Sequence, residues 1–244
     1  ALYYDLITDY YDSILNGAYQ TADESEAQLL TNLTVALDKG IQHARRSRNP
    51  ERGHLLAKML LAKATIMMRS NPNRKRAIDR LIDEAKAIVI EDAQPYAEIR
   101  CIYYMVCAWY FTIVEPSLEA TLSFMEKAKA ISDKTAPTDL DEIDNMTIPC
   151  ADMLCNWEEY SLAANLLLEA IQICEKNPSV VPYMRKKLDL YGYLLDVCFE
   201  WNKLDLCKEL IYEIQKHNER YKPYGIQKEI SPELIDLIHT GSPN

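Results

Sequence analysis

The chain has 244 residues, of which 48 % are hydrophobic, enough for one large core or two small ones. Its 37 acidic and 27 basic side chains leave a formal charge of −10, so the surface as a whole repels phosphate backbones and direct nucleic-acid binding is not expected. Only 6 glycines occur, strand-like runs bounded by turn residues are nearly absent, and no apolar stretch reaches the roughly 18 residues of a membrane span.

The first predicted helix covers residues 2–15, with Leu2, Leu6, Tyr10 and Ile14 on one stripe and Gly17 as its stop. A second stripe runs through Ala27, Leu30, Leu33, Leu37, Ile41 and Ala44 in residues 24–46. Together they form an N-terminal capping pair, residues 1–52. The aromatic pairs Tyr3-Tyr4 and Tyr10-Tyr11 give the first helix a surface for a second copy, and a homodimer through that helix is the expectation. Two basic stretches, Arg45 with Arg46, Arg48 and Arg52, then Arg74, Lys75 and Arg76, fall at predicted inter-helix turns. They read as solvated turns in preference to anion sites.

Residues 53–221 repeat a helix–turn–helix pattern four times. The second helices carry Ala77 with Leu81, Ala120 with Phe124, Ala163 with Leu167, and Cys207 with Ile211, at steps of 43, 43 and 44 residues. Each is a small residue followed one helical turn later by a large one, so both share a face. The first helices carry Leu61, Ala64, Thr65 and Met68; Tyr104, Cys107, Ala108 and Phe111; Thr147, Cys150, Ala151 and Leu154; Tyr191, Leu194, Leu195 and Cys198. A small residue between large ones lets two helices approach closely. Pro149 is expected to kink or restart the third first helix. Thr135-Ala136-Pro137-Thr138-Asp139 is the most loop-like internal connection, and no domain boundary is read inside the array. After residue 221, Lys222-Pro223-Tyr224-Gly225 ends the last long helix. Ser231-Pro232-Glu233 opens a short one as N-cap and first turn, and Leu234, Ile235 and Ile238 are expected to fold back on the last repeat. Residues 222–244 are thus a C-terminal cap.

These residues resemble the tetratricopeptide repeat family, including the eight-residue gap across the turn within each repeat. They depart from it in a period longer than the family's, in Leu195 where a small residue is usual, and in Pro149. The resemblance implies an all-α, right-handed α-solenoid of antiparallel helix pairs, about five pairs plus a short C-terminal helix, in a single domain 1–244. It also implies that the first helices line an inner, concave wall where ligands sit.

Catalytic constellations are not found in the sequence. His43, His54, His217 and His239 lack helical metal-site spacing from one another and from the cysteines. HExxH, GxSxG and phosphate-loop patterns do not occur. Asp139, Asp141, Glu142 and Asp144 read as an acidic helix start. Seven cysteines without a CxxC pair read as buried free thiols in a reducing, cytoplasmic setting. The reading is therefore a non-enzyme with no cofactor and no metal.

The wall residues left over from packing are Lys63 and Arg69 in the first repeat, with Met59, Ala62 and Ile66. The second contributes Met105 and Trp109, with Ile102, Val106 and Thr112. The third contributes Asn145, Asp152 and Asn156, with Ile148, and the fourth Tyr193 and Asp196, with Asp189 and Phe199. Amides suit a peptide backbone and aromatic residues anchor apolar side chains. Trp109 stands in a run apolar on all sides and has two readings, core or wall. Filling of the groove by the chain's own termini is the competing arrangement. By the family resemblance, the expected role is a protein- or peptide-binding sensor or regulatory domain of a bacterial signalling or transcriptional regulator, with no membrane partner. A scaffold or co-chaperone-like adaptor is the alternative.

Overall fold

The computed structural model describes residues 26–47, 52–91, 97–135 and 138–240. The predicted helix at 2–15, with its tyrosine pairs and the homodimer surface assigned to it, lies outside them, as does Arg48. Every regular element among the described residues is helical. The helices group into two compact units that divide between Thr135 and Ala136. That is the stretch whose Pro and Thr content marks it as loop-like.

The first unit contains α1 (Glu26–Arg46), α2 (Arg52–Ser70), α3 (Lys75–Glu91), α4 (Ala97–Ile113) and α5 (Leu118–Thr135). Its pairs are α2 with α3 and α4 with α5, with α1 packed on α2. The α2–α3 turn is Asn71-Pro72-Asn73-Arg74, where Pro72 cannot continue the helix and the Asn71 N–H closes it on the Met67 carbonyl at 2.8 Å. Ser117 caps α5 by accepting from the Ala120 N–H at 3.3 Å. Helix α4 packs on α2, α3 and α5 at once, which is why CIYYMVCAWYF is apolar around its whole circumference. The second-repeat aromatics meet as expected: Phe111 and Phe124 stack at 5.6 Å, with Tyr104 6.1 Å from Phe124.

The second unit contains α6 (Asp139–Glu142), a π turn (Ile143–Thr147), α7 (Ile148–Asn156), α8 (Tyr160–Glu175), α9 (Val181–Glu200), α10 (Leu204–Tyr221), a 3-10 turn (Lys222–Tyr224) and α11 (Pro232–Thr240). Thr138 caps α6 by accepting from the Asp141 N–H at 3.2 Å. The helix restarts at Pro149, as expected, with a π turn before it and a new α-helix from Ile148. Lacking an N–H, Pro149 cannot bond one turn back, and the wider π turn just before it absorbs the mismatch, leaving the proline in the first turn of α7. Helices α7 and α9 end in the same way, with bonds from Glu159 N–H to Leu154 and Glu158 N–H to Cys155, and from Lys203 N–H to Cys198 and Asn202 N–H to Phe199. The second residue past the helix is left-handed in both, Glu158 at φ 58° and Asn202 at φ 57°.

The small–large markers of the second helices fit one unit better than the other. In the second unit Ala163, Leu167, Cys207 and Ile211 are all buried, as expected. In the first unit the buried stripe is offset by one residue. It runs through Ile78, Ile82, Ala85 and Val89 on α3 and Thr121, Met125 and Ala128 on α5, while Ala77 is exposed. Counted on the buried positions Ile78, Thr121, Ala163 and Cys207, the period is 43, 42 and 44 residues, shortest where the units meet in sequence. At the C-terminus Ser231 accepts from the Leu234 N–H at 3.1 Å, and α11 packs on α10 with Ile238 fully buried.

Candidate functional site

The residues chosen as wall in the first unit are mostly structural. Met59, Ile66, Met105 and Val106 are each no more than 8 % exposed, and half-buried Trp109 packs against the same core. The expectation of an open wall there fails because α4 is covered on three sides. Lys63 is engaged in an ion pair with Asp38 of α1. Arg69 is exposed at the end of α2. The basic turns are partly consumed in packing too: Arg45 grips Glu84 of α3 with two bonds of 2.6 and 3.0 Å, Arg52 donates to the Ser47 carbonyl, and Lys75 pairs with Glu115 at 3.1 Å.

In the second unit Asp152, Asp189 and Asp196 lie near Tyr193. Asp189, Gly192, Tyr193 and Asp196 are spaced i, i+3, i+4 and i+7 along α9 and share one face. Tyr193 is 40 % exposed at its centre. Partial burial raises its phenol above the ordinary value, and the charges of Asp152, Asp189, Asp144 and Asp196 raise it further. Burial lifts the Asp196 carboxyl, opposed by the Lys228 charge and reinforced by Glu200. Asp144 is tied to Lys186. Asn145 is exposed on the π turn, and Asn156 spends its amide N–H on its own Asp152 carbonyl at 2.8 Å. An acidic face with an aromatic centre suits a cationic side chain carried on an apolar stem.

Residues that the sequence reading passed over complete this face. Asn218 of α10 donates from Nδ2 to the Lys228 carbonyl at 2.8 Å and accepts the Lys228 N–H at Oδ1 at 2.7 Å. One amide engages both groups of one residue only if they point the same way, as in an extended strand. Burial alternates accordingly: Ile226, Lys228 and Ile230 are turned in, and Gln227, Glu229 and Ser231 out. Gly225, at φ 67°, makes the left-handed turn that starts the segment. The Lys228 stem crosses Gly192 so closely that a Cβ there would meet Lys228 Cε at 2.7 Å. Its Nζ lies 3.8 Å from Asp189 Oδ1. A glycine inside a helix costs about 0.5–1 kcal/mol relative to alanine, and α9 carries one where the lysine stem passes. Legible signals for this arrangement were the mid-helix glycine and the alternating Ile226-x-Lys228-x-Ile230.

A separate cavity of about 200 Å³ in the second unit is lined by Cys174, Glu175, Met184, Lys187, Arg220 and Tyr221 among others. Lys187 is 7 % exposed and donates to Glu175 Oε1 at 2.7 Å. Beside it Tyr191, His217 and Tyr221 form a stack with ring spacings of 5.6 and 5.2 Å. Burial, then the Lys187 charge, lowers the His217 pKa, and its buried Nδ1 has no hydrogen-bond partner. Burial pushes the thiols of Cys101, Cys107, Cys155, Cys174 and Cys207 up to about 11, so they are not thiolates near neutral pH. Among the described residues no cluster of three or more His, Cys, Asp or Glu side chains is placed to hold a metal ion, and no helix is long and apolar enough to cross a membrane.

The chain is similar in fold to the crystal structure of BtubC (BKLC) from P. vanneervenii, with a TM-score of 0.58 and 14 % sequence identity over 80 % of this chain and 74 % of that one. At that identity the likeness concerns the fold alone. No protein-family profile matches the sequence, and no curated protein matches it.

Proposed function

We propose that the chain is a non-enzymatic, cytoplasmic protein- or peptide-binding module of tetratricopeptide-like, right-handed helix pairs, serving as the sensor or regulatory part of a signalling or transcriptional regulator. Its binding face is the α9–α10 surface around Tyr193, and its ligand is an extended segment bearing a lysine or arginine. The observation that carries this reading is the face's handling of a strand-like segment, with Asn218 gripping the backbone and Asp189 beside the lysine. Side-chain pockets for alternate residues combined with main-chain hydrogen bonds are a recurring mode of peptide recognition.

The test is fluorescence anisotropy with a panel of short peptides of the pattern apolar–x–Lys–x–apolar and the same peptides with Glu for Lys. The lysine peptides bind, Tyr193→Ala and Asp196→Lys each weaken them at least tenfold, and the glutamate peptides do not bind. Equal affinity for both peptide sets, or indifference to both substitutions, removes this face as the binding site.

A further inference from the structure

We infer that residues 226–230 are an internal competitor for the α9–α10 face, so that a partner's segment binds only as this one leaves, and that the partner presents the same pattern of apolar, x, Lys or Arg, x, apolar. The inference rests on the reading of that face as a peptide site.

Four observations converge on a ligand-like placement. The segment's backbone is held at Lys228 by one side-chain amide, as an incoming strand would be, and by no helix of its own. The inward residues Ile226 and Ile230 flank the lysine two positions to either side. The lysine stem lies against Gly192, where the lack of a side chain leaves room for it. Its ammonium faces Asp189 and opposes the raised pKa of Asp196, so the acidic face is partly neutralised by the chain itself.

The attachment is also suited to release. Lys228 Nζ lies at 3.8 Å from Asp189, with both side chains more than a third exposed, so the ion pair is weak and salt-screened. Gly225 closes the turn before the segment and Ser231 caps the start of α11 after it, so residues 226–230 lift away while Ser231 stays on α11. Local opening of this kind falls at the low end of a protein's stability range. Ile226, 3 % exposed, is the main apolar side chain that release uncovers.

The experiment compares the wild-type chain with Lys228→Glu, which places like charge against Asp189 and Asp196, and with Asn218→Ala, which removes the backbone grip and leaves Ile226 untouched. Circular dichroism checks that each remains folded. Hydrogen exchange follows residues 226–231, and anisotropy follows a labelled synthetic peptide of residues 224–231, Tyr-Gly-Ile-Gln-Lys-Glu-Ile-Ser. The expected result is faster exchange confined to the segment in both variants, with peptide affinity at least tenfold above wild type in Lys228→Glu, which keeps the Asn218 amide for the peptide backbone, and a smaller gain in Asn218→Ala, which lacks that grip. Unchanged exchange in both variants overturns the releasable attachment. Faster exchange with a Lys228→Glu affinity equal to a measurable wild-type affinity overturns competition while leaving the peptide-site reading intact. Faster exchange with no binding by any of the three proteins overturns the inference together with the reading beneath it.

Discussion

The pair Lys187–Glu175 predicts opposite outcomes for two substitutions that remove the same interaction. Lys187 is 8 % exposed at its side chain, and Glu175 is 50 % exposed. Glu175→Ala therefore strands an ammonium inside the second unit, whereas Lys187→Met strands only a carboxylate that water already reaches. Breaking a fully buried pair from one side costs about 3–5 kcal/mol. Here the cavity of about 200 Å³ beside the ammonium admits water, so a cost of about 1–3 kcal/mol is expected for Glu175→Ala. Lys187→Met relieves the desolvation of the charge, keeps the stem volume, and gives up a cation–π contact with Tyr191 at 5.6 Å, worth roughly 0.5–2 kcal/mol. The two effects nearly cancel, and its net change stays within about 1 kcal/mol of zero. Urea denaturation of wild type and both variants measures this through the midpoint at constant slope. The reasoning is refuted if Lys187→Met costs as much as Glu175→Ala or more.

Three further outcomes follow from the same packing. His217 has a lowered pKa in the folded chain, so the unfolded chain binds the proton more tightly. Stability is complete above the ordinary histidine value near 6.5 and falls as pH drops below it, and thermal unfolding from pH 7.5 to 5 shows a slope that His217→Phe flattens. Glu158 holds a left-handed conformation that costs a non-glycine residue about 1–2 kcal/mol, so Glu158→Gly raises the urea midpoint while Asn202→Gly, replacing a residue that tolerates the conformation, changes it less. Met105, assigned by sequence to a ligand wall, is 8 % exposed in the core of the first unit, and Met105→Ala destabilises by about 2–4 kcal/mol as measured by chemical denaturation.

The helical architecture was legible because it rests on local chemistry. The stripes of Leu33, Leu37 and Ile41, the stop at Lys222-Pro223-Tyr224-Gly225 and the Ser231 cap each depend on residues within a turn or two of one another. Wall residues depend on how many neighbours a helix has, which is a long-range property. Helix α4 packs against three others, so Met105 and Trp109 became packing, while the α9 face kept Tyr193 and Asp196 at the surface. Asp152, Tyr193 and Asp196, which lie near one another, were singled out from repeat register alone. Asn218 and Lys228 were missed because they lie on a second helix and a non-helical segment, which the register does not index. The one-residue offset of the buried stripe in α3 and α5 arose for a related reason. Ala77 and Ala120 match the small-residue pattern in type, but Ile78 and Thr121 occupy the position that packing selects.

The central claim is that the α9–α10 face holds an extended, lysine-bearing segment. A crystal structure of the Lys228→Glu chain with the peptide of residues 224–231 tests it most directly. The account predicts the peptide's lysine stem over Gly192, its ammonium beside Asp189, and its backbone paired with the Asn218 amide. A peptide bound elsewhere, or the variant's own segment unmoved with the peptide absent from this face, contradicts it.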